Sequence, residues 1–344
     1  MTKKTVTMSD IASQIGVSTV TVSKALGGKD GVSAELRERI KQKANEMGYR
    51  FSGSSKLPKD SPTYNIGVIV AKHFIHDASA FYWVVYRYIV ELLQKQSYYG
   101  ILEVVSEADE QLCEMPSSVL NKKVDGIIIL GQFQDAYVSA LLSMEIPTVF
   151  LDFYSGKNDV ETVLADNFFG AYTITNYLLR NGHRKICFVG TISATSSIQD
   201  RFLGFCKSHI EHNLRVDSIQ IVDDRKKDGT LLPEFILPDE LPTAFFCNCD
   251  ETAYQLINQL KAAGYRVPDD ISVAGYDNHI YSTISTPRIT TFDVNSYYMS
   301  HEAVEIIIRK IRDNSYRCGR VLVTGKLVER DSVKKIHPSP KETD

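Results

Sequence analysis

The sequence predicts a multidomain protein, with a small all-α head followed by a larger α/β portion of two lobes built on parallel sheets. Three short helical patterns with polar caps fill the first 50 residues. Residues 51–63 are mostly small, polar or proline, a composition typical of a linker. Beyond them, short apolar strands alternate with amphipathic helices, which indicates parallel sheets with right-handed crossovers.

The helices of the head are delimited by polar caps and glycines. Ser9 is expected to cap the first helix, which ends at Gly16. Ser18 is expected to cap a second helix over 19–26, and a third helix is expected over 34–47. Serine accepts hydrogen bonds from free amides at a helix start, and glycine adopts the left-handed conformation that ends a helix.

The larger portion shows two sets of apolar strands, which predict two lobes. The strands are expected at 66–71, 101–105, 126–131 and 148–151, and then at 186–190, 219–222, 244–247 and 272–276. In such folds a ligand binds at the carboxyl ends of the strands. The ligand site is therefore expected in the cleft between the lobes.

Composition limits the class of protein. The chain has 344 residues, of which 43% are hydrophobic and 24% charged, as in globular proteins of two or three domains. Its six cysteines form no even framework, which favours a reducing compartment. No apolar run approaches the ~20 residues of a membrane helix, and the first residues lack the apolar region of a secretory signal. A cytoplasmic location without a membrane partner is expected.

Charge is unevenly distributed along the chain. Residues 1–60 carry 11 Lys/Arg and six Asp/Glu, a balance of +5, which leaves −8 for the rest of a chain of net charge −3. A basic head on an acidic body favours a polyanionic partner for the head.

The strongest motif lies within residues 8–26, where two short helices meet at a tight turn on Gly16. This is helix-turn-helix geometry, in which the second helix is free to enter a DNA major groove. Thr19, Val20 and Lys24 are expected to face outward on that helix. The alternative is a small helical head that binds no nucleic acid.

The chain resembles the lactose-repressor (LacI) family of transcription regulators over nearly its whole length. The motifs that carry the resemblance include Asp10–Leu26, Val124–Ile129, Gly182–Ile186 and Val267–Asp277. The resemblance implies a helix-turn-helix head joined to a periplasmic-binding-protein-like effector domain. It also implies a repressor of carbohydrate-utilisation genes, relieved by a sugar bound between the lobes.

The resemblance implies domain boundaries. They are a head at 1–50, a hinge at 51–63, an N-terminal lobe at 64–165 and 292–323, a C-terminal lobe at 166–291 and 324–336, and a disordered tail at 337–344.

By the same resemblance, Thr19, Val20 and Lys24 match the positions that read base edges. Threonine can hydrogen-bond a base, whereas valine offers only methyl contact, for example with thymine. Lys24 stands where many members have arginine, and lysine lacks the planar fork that recognises guanine. The candidates for phosphate contacts, which position the protein without specifying sequence, are Thr7, Ser9, Ser18, Thr21 and Ser23.

The linker departs from the family pattern. Phe51 and Ser52 replace the usual Pro-Asn pair, and Pro58 falls where members carry a leucine that wedges the minor groove. Leu57 lies one residue earlier and is the candidate wedge. Gly53 and Pro58 both weaken a helix.

For the ligand, the resemblance points to Arg201 and Asp277. Arginine offers a rigid fork to sugar hydroxyls or to a carboxylate, and aspartate accepts from paired hydroxyls. The alternative is a salt bridge between the lobes. Asp166 and Asp250 match further polar positions near the cleft, and Cys249 stands where members commonly have asparagine.

Aromatic residues follow the first strand of the larger portion. Phe81 and Trp83 are candidate ligand contacts that could stack on a sugar ring; the alternative is the apolar face of the following helix. His209 and His212 lie three apart on a predicted helix, but no third metal ligand is evident. The sequence contains no common catalytic motif, so neither an enzyme, a metal nor a cofactor is expected.

The partners expected are a palindromic double-stranded DNA operator, a small-molecule effector and a second copy of the chain, because palindromic sites need two heads. Within the same fold, the alternatives are co-repression by a purine and control by a protein partner. From other classes, the alternatives are a sugar-binding transport protein and a hydrolase.

Overall fold

The computed structural model describes residues 6–27, 30–47, 49, 62–75, 81–156, 159–226 and 229–336. The predicted tail at 337–344 and all but the last two residues of the predicted hinge lie outside these ranges. The chain forms two compact units, Met1–Pro62 and Thr63–Asp344.

The first unit contains the helices α1 (Met8–Ile15), α2 (Thr19–Leu26) and α3 (Ala34–Glu46). Helix α1 begins at a capping box, in which Thr7 Oγ1 accepts from the Asp10 amide and Asp10 Oδ2 accepts from the Thr7 amide. The prediction that Ser9 caps α1 was wrong, because Asp10 lies three residues beyond Thr7 and completes the reciprocal pair. Ser9 lies inside the helix.

The turn between α1 and α2 was predicted correctly. Gly16 ends α1 with a φ of +79°, in the left-handed region that favours glycine. Ser18 caps α2, and its Oγ accepts from the Thr21 amide at 3.1 Å. Only three residues separate the two helices, which is the short turn expected of a helix-turn-helix.

The three helices bury a common core. Its buried members are Ile11, Ala12, Val22, Ala25, Ile40 and Ala44. Each helix offers one apolar stripe, so the three must pack together to remove these side chains from water. The head thus has a core of its own.

The second unit alternates strands and helices. The elements up to the first change of sheet are β1 (Asn65–Ala71), α4 (Phe81–Lys95), β2 (Tyr99–Val105), α5 (Glu107–Gln111), α6 (Ser117–Leu120), β3 (Gly126–Leu130), α7 (Asp135–Leu142), β4 (Thr148–Leu151) and β5 (Thr162–Ala165). Then follow α8 (Asn167–Arg180), β6 (Ile186–Val189), α9 (Ser196–Glu211), β7 (Ile221–Val222), β8 (Ala244–Cys247), α10 (Asp250–Ala262), β9 (Ser272–Ala274), α11 (Ile280–Ile284) and β10 (Thr291–Asp293). The last elements are α12 (Ser296–Arg312), β11 (Arg320–Val323) and β12 (Lys326–Val328).

The strands form two parallel sheets and one antiparallel pair. The first sheet has the order β11-β5-β4-β3-β1-β2 and the second β7-β6-β8-β9, while β10 pairs with β12. All pairings in the two larger sheets are parallel. We call the part built on the first sheet the first lobe, and the part built on the second sheet and the β10–β12 pair the second lobe.

The chain passes between the lobes three times, at β5–α8, at β10–α12 and at β11–β12. At the last passage, a Cβ on Gly325 would lie 2.1 Å from the Asp293 backbone oxygen. Glycine is therefore required where two of the connecting segments run side by side.

Within the second lobe, α8 and α9 pack closely. A Cβ on Gly204 of α9 would lie 2.1 Å from the Phe168 backbone oxygen. The close approach fixes the position of α9, which carries Arg201. Among the described residues, no helix is long and apolar enough to span a membrane.

Candidate nucleic-acid interface and ligand cavity

Helix α2 has one buried and one exposed face. Val22 is fully buried, whereas Val20 is 64% exposed. Thr19 and Lys24 are also exposed. Because residues 20 and 24 are four apart, they lie on one side of the helix. The structure thus places all three predicted base-reading residues on the outer surface of the head.

The predicted phosphate contacts surround the starts of α1 and α2. Thr7, Ser9 and Ser18 are exposed, and Thr21 and Ser23 are half-buried. The hydroxyls of Thr7 and Ser18 already accept from helix amides, and they also bond Asp10 Oδ2 and Thr21 Oγ1 within the head. A phosphate contact by either hydroxyl would therefore have to share or replace one of these hydrogen bonds. Leu57, the predicted groove wedge, lies outside the described residues.

A cavity of about 390 Å³ lies between the two lobes of the second unit. Its polar lining includes Asp152, Asn248 and Asp277, which follow β4, β8 and β9. Parallel strands end at the same edge of a sheet, so these side chains converge at the cleft. The volume lies within the range of small-molecule sites.

Arg201 is held in one position by contacts on every side. Its Nε donates to Asn167 Oδ1 at 2.8 Å, its Nη1 to the Asn248 carbonyl at 2.6 Å and its Nη2 to Asp277 Oδ1 at 3.1 Å. The guanidinium lies 4.0 Å from the centre of the Tyr276 ring. Burial lowers the pKa of Arg201, but Asp277, Tyr276 and Asp152 together outweigh burial and keep the pKa raised. Arg201 is therefore a fixed, charged wall of the cavity.

A second arginine that lines the cavity, Arg225, is paired with the carboxylate of Asp224. Its Nε and Nη2 donate to Asp224 at 3.0 and 2.8 Å. Asp224 is fully buried and also accepts from Thr252, Asn248 and the Thr191 amide. Burial raises the pKa of Asp224, but Arg225 and these donors lower it to about 2. The arginine is therefore neutralised from within the protein.

Two buried carboxyls beside the cavity hold their protons more tightly than usual. Tyr82 donates to Asp152 Oδ2 at 2.8 Å, and burial raises the pKa of Asp152 to about 6 although Arg201 opposes it. Asp250 accepts from the His279 amide at 2.7 Å, and its Oδ1 has no partner in the described part of the chain. Burial, with the nearby Asp277, raises the pKa of Asp250 well above its ordinary value.

The first lobe adds an aromatic wall. Tyr82 lies edge-on to both Phe74 and Phe81, with ring centres 4.9 and 5.4 Å apart. All three line the cavity, as do Leu231, Leu232 and Pro233 of the second lobe. The cavity therefore combines fixed polar groups with apolar surface, as sites for small polar molecules do.

Two family models match the chain. The model of bacterial regulatory proteins of the lacI family matches residues 7–52, and the periplasmic binding protein-like domain matches residues 175–333. Relatives over nearly the full length include the HTH-type transcriptional repressor PurR of Histophilus somni (strain 129Pt). It is 28% identical, over 95% of this chain and 99% of its own. PurR of Vibrio vulnificus (strain CMCP6) is 27% identical over 96% of this chain and 99% of its own.

The chain belongs to the LacI family of bacterial regulatory proteins. It is a ligand-responsive, DNA-binding transcriptional regulator with a helix-turn-helix head and an effector-binding domain. The predicted family, fold class and general function are therefore confirmed.

Solved structures share the fold of this regulator. The lac repressor dimer bound to operator and the anti-inducer ONPF has a TM-score of 0.70 at 21% identity, over 96% of this chain and 100% of its own. The regulator CelR in complex with cellobiose has a TM-score of 0.66 at 22% identity, over 95% of this chain and 99% of its own. A LacI family regulator from Enterococcus faecium with bound ribose has a TM-score of 0.67 at 24% identity, over 79% of this chain and 100% of its own.

Of the predicted ligand contacts in this regulator, the structure brings together Arg201, Asp277, Asp250 and Phe81 around the cavity. The alternative of a salt bridge between the lobes is wrong for Arg201 and Asp277. The two form an ion pair, but helix α9 and strand β9, which position them, belong to the same lobe.

The other two predicted contacts are not among the lining residues. Asp166 caps α8, and its Oδ1 accepts from the Phe169 amide at 3.1 Å. Trp83 packs edge-on against Tyr86 at 6.1 Å. Successive helical residues are about 100° apart, so Phe81 and Tyr82 of α4 face the cavity and Trp83 does not. Contact of Asp166 or Trp83 with a ligand has no support from this arrangement.

The sequence argument missed Asp152, Tyr82, Arg225 and Asn248, all of which line the cavity. A usable signal was present for two of them. Asp152 and Asn248 each come directly after a predicted strand, where a polar side chain must lie at the cleft edge of a parallel sheet.

The histidines and the cysteine that the sequence analysis singled out are explained by contacts close to them. The rings of His209 and His212 each bond a carbonyl of their own helix, those of Phe205 and Ser208. Cys249 lines the cavity, and burial raises the pKa of its thiol to about 12. A neutral thiol is a poor metal ligand and a poor nucleophile.

Proposed function

We propose that this regulator represses carbohydrate-utilisation genes and that an uncharged sugar, bound between the lobes, relieves the repression. The charge balance of the cavity carries the proposal. Arg201 is paired with Asp277, and Arg225 with Asp224. A phosphate or carboxylate ligand needs cationic groups that the protein leaves unneutralised. Both of these arginines already have a carboxylate partner, so the cavity favours a neutral ligand.

The remaining polar groups suit hydroxyls. The carboxyl oxygens of Asp277 and Asp152 can accept hydrogen bonds from ligand hydroxyls. The aromatic wall of Phe74, Phe81 and Tyr82 offers a surface for the apolar C–H face of a sugar ring. The similar solved structures that contain cellobiose and ribose support the same ligand class.

For the DNA-binding half, we propose that α2 enters the major groove with Thr19, Val20 and Lys24 against base edges. The protein would act in the cytoplasm as a homodimer on a palindromic operator, because one head offers few contacts. The similar lac repressor was solved as a dimer on its operator.

The proposed switch follows from where the ligand groups sit. Asp152, Phe81 and Tyr82 belong to the first lobe, and Arg201, Asp250 and Asp277 to the second. A sugar that contacts both sets prefers the lobe angle that brings them together. That preference is the differential affinity by which a ligand shifts a two-state equilibrium and changes operator affinity.

Thermal unfolding in the presence of candidate ligands tests the proposal. The panel is neutral mono- and disaccharides, sugar phosphates and purines. A ligand at about 100 times its Kd stabilises a protein by roughly 2.7 kcal/mol. We expect a neutral sugar to raise the Tm, and Arg201→Lys to remove the increase because lysine cannot replace the three-way fork.

The matched control is Arg266→Lys, which alters an exposed arginine paired with Asp270 in the same lobe. The relatives named PurR make a purine co-repressor the competing candidate. If only purines or only sugar phosphates raise the Tm, the carbohydrate proposal is wrong. A panel without any response would also contradict it.

A further inference from the structure

A second cavity adjoins the one between Arg201 and the aromatic wall. Its volume is about 200 Å³, and it shares His73, Phe74 and Gly229 with the first cavity. Its other lining residues follow β2 and β3 in the first lobe and β6 in the second. Both cavities therefore occupy the same cleft at the carboxyl ends of the strands.

The second cavity is lined by groups that recognise hydroxyls. Besides the shared His73, the polar lining residues are Glu107, Glu110, Gln132 and Gln134, and Phe133 lies among them. Carboxylates accept from hydroxyls, and amides both donate and accept. Among the described lining residues there is no Lys or Arg, so this cavity does not favour an anion.

Glu110 is the most informative of these residues. It is only 7% exposed, and its Oε1 accepts from the Gln134 amide at 2.6 Å. Its Oε2 has no hydrogen-bond partner among the residues that the structure describes. Burial raises the pKa of this carboxyl. Because Glu110 lines the cavity, this oxygen can accept a hydrogen bond from a ligand hydroxyl there.

The two glutamines add further groups to the cavity. Gln132 Oε1 accepts from the Ser196 amide at 2.8 Å, which fixes the side chain and leaves its amide nitrogen to donate. Gln134 stands at the N-cap of α7 but makes no side-chain cap bond. The Gln132 side chain is therefore already held in position before any ligand binds.

A glycine allows the two lobes to approach closely where the cavities adjoin. A Cβ on Gly229 would lie 2.9 Å from the His73 ring, and its φ of +84° disfavours other residues. The absence of a side chain at 229 therefore lets the His73 ring of the first lobe lie against the backbone of the second lobe where the cavities adjoin.

We propose that the second cavity is a subsite for a second sugar unit, so that the effector is a disaccharide or longer oligosaccharide. One unit lies between Arg201 and the aromatic wall, and the next extends past His73 and Gly229 to Glu110, Gln132 and Gln134. This inference rests on the proposed function, because it assumes that the first cavity takes a sugar.

Isothermal titration of the full-length protein tests it. The probes are cellobiose, maltose, lactose, sucrose, trehalose and melibiose, each compared with its component monosaccharides. We expect one disaccharide to bind at least tenfold more tightly than either of its monosaccharides. Glu110→Gln keeps the acceptor for the Gln134 amide but replaces a charged acceptor with a neutral one, and should weaken that disaccharide about tenfold. Gln134→Ala should also weaken it, and monosaccharide binding should stay within about twofold in both variants.

The matched control is Glu103→Gln. Glu103 Oε1 also accepts from a backbone amide, that of Ser118 at 2.8 Å, but Glu103 lines neither cavity. If a monosaccharide binds as tightly as every disaccharide, or if Glu110→Gln and Gln134→Ala weaken both classes equally, the subsite is disproved while the sugar proposal stands. If no saccharide binds, the proposed function fails and the subsite with it.

Discussion

Asp152 and His183 are buried titratable residues whose pKa values shift in ways that affect stability in opposite directions. Burial raises the pKa of Asp152 to about 6, so its carboxyl ionises in the unfolded chain before it ionises in the folded one. Stability is therefore lost as pH rises from about 4 to about 6. Burial lowers the pKa of His183 to about 4. Stability is gained as pH rises from about 4 to about 6.5.

Asp152→Asn isolates the first effect. Asparagine keeps an acceptor for the Tyr82 hydroxyl but does not ionise. The variant should equal the wild type near pH 4 and become more stable as pH rises to 7, by at most about 3 kcal/mol. The measurement is the difference in Tm between the two proteins from pH 4 to pH 8. His183 is present in both, so its contribution cancels; a difference that does not change with pH would contradict the prediction.

For single residues, the family resemblance pointed to Arg201 and Asp277 at the cavity, but it could not predict the pKa of Asp152. That shift depends on burial at the carboxyl end of β4 and on Tyr82, a residue 70 positions away in the sequence. Burial of this kind arises only when the two elements pack together.

Helix α2 divides its residues between a core and an exposed surface. Val20 and Val22 are chemically identical and two positions apart, yet one is 64% exposed and the other fully buried. Substitutions at these two valines can therefore distinguish a residue that contacts DNA from one that packs in the core of the head.

Val20→Ala should leave the Tm unchanged but alter the sequences that the full-length protein selects from a random duplex DNA library. The expected loss is roughly 1–3 kcal/mol of discrimination at one base pair of each half-site. Val22→Ala should do the reverse, with a stability loss of roughly 1–3 kcal/mol and an unchanged preferred sequence. Unaltered selection by Val20→Ala would exclude this residue from base recognition.

Strands inside the continuous stretches of each lobe were predicted from the sequence, whereas the strands that flank the passages between the lobes were missed. The strand predicted at 148–151 matches β4, and Ser18 was the correct cap of α2. Strands β5, β10, β11 and β12 were missed, and length alone is not the reason, because β5 has four buried residues just as β4 does. Their pairing depends on partners more than 100 positions away in the sequence or on a return between the lobes.

The two lobes contact each other directly at the cleft. Tyr154 of the first lobe donates to Asp200 Oδ1 of the second at 3.1 Å, and the Ser196 amide donates to Gln132. The Tyr154 ring also lies under the Arg320 guanidinium at 4.4 Å. The two hydrogen bonds between the lobes stabilise the lobe angle of this structure, whereas the contact with Arg320 lies within the first lobe.

Tyr154→Phe removes the hydroxyl between the lobes and keeps the ring against Arg320. We expect a larger radius of gyration for the ligand-free protein, measured by small-angle X-ray scattering, because the population shifts toward more open lobes. Tyr172→Phe is the control, since its hydroxyl donates to Glu211 within the second lobe. Equal radii for the two variants would show that the Tyr154 contact does not set the lobe angle.

The three passages between the lobes also limit how this gene can recombine. Each lobe is assembled from stretches that are separated along the chain, so replacing one lobe with that of a relative requires three junctions, near residues 166, 294 and 324. Replacing the head requires one junction, because the head is a continuous unit that ends at Pro62. A single crossover can therefore give an existing effector domain a new operator, whereas it cannot exchange half of the effector site.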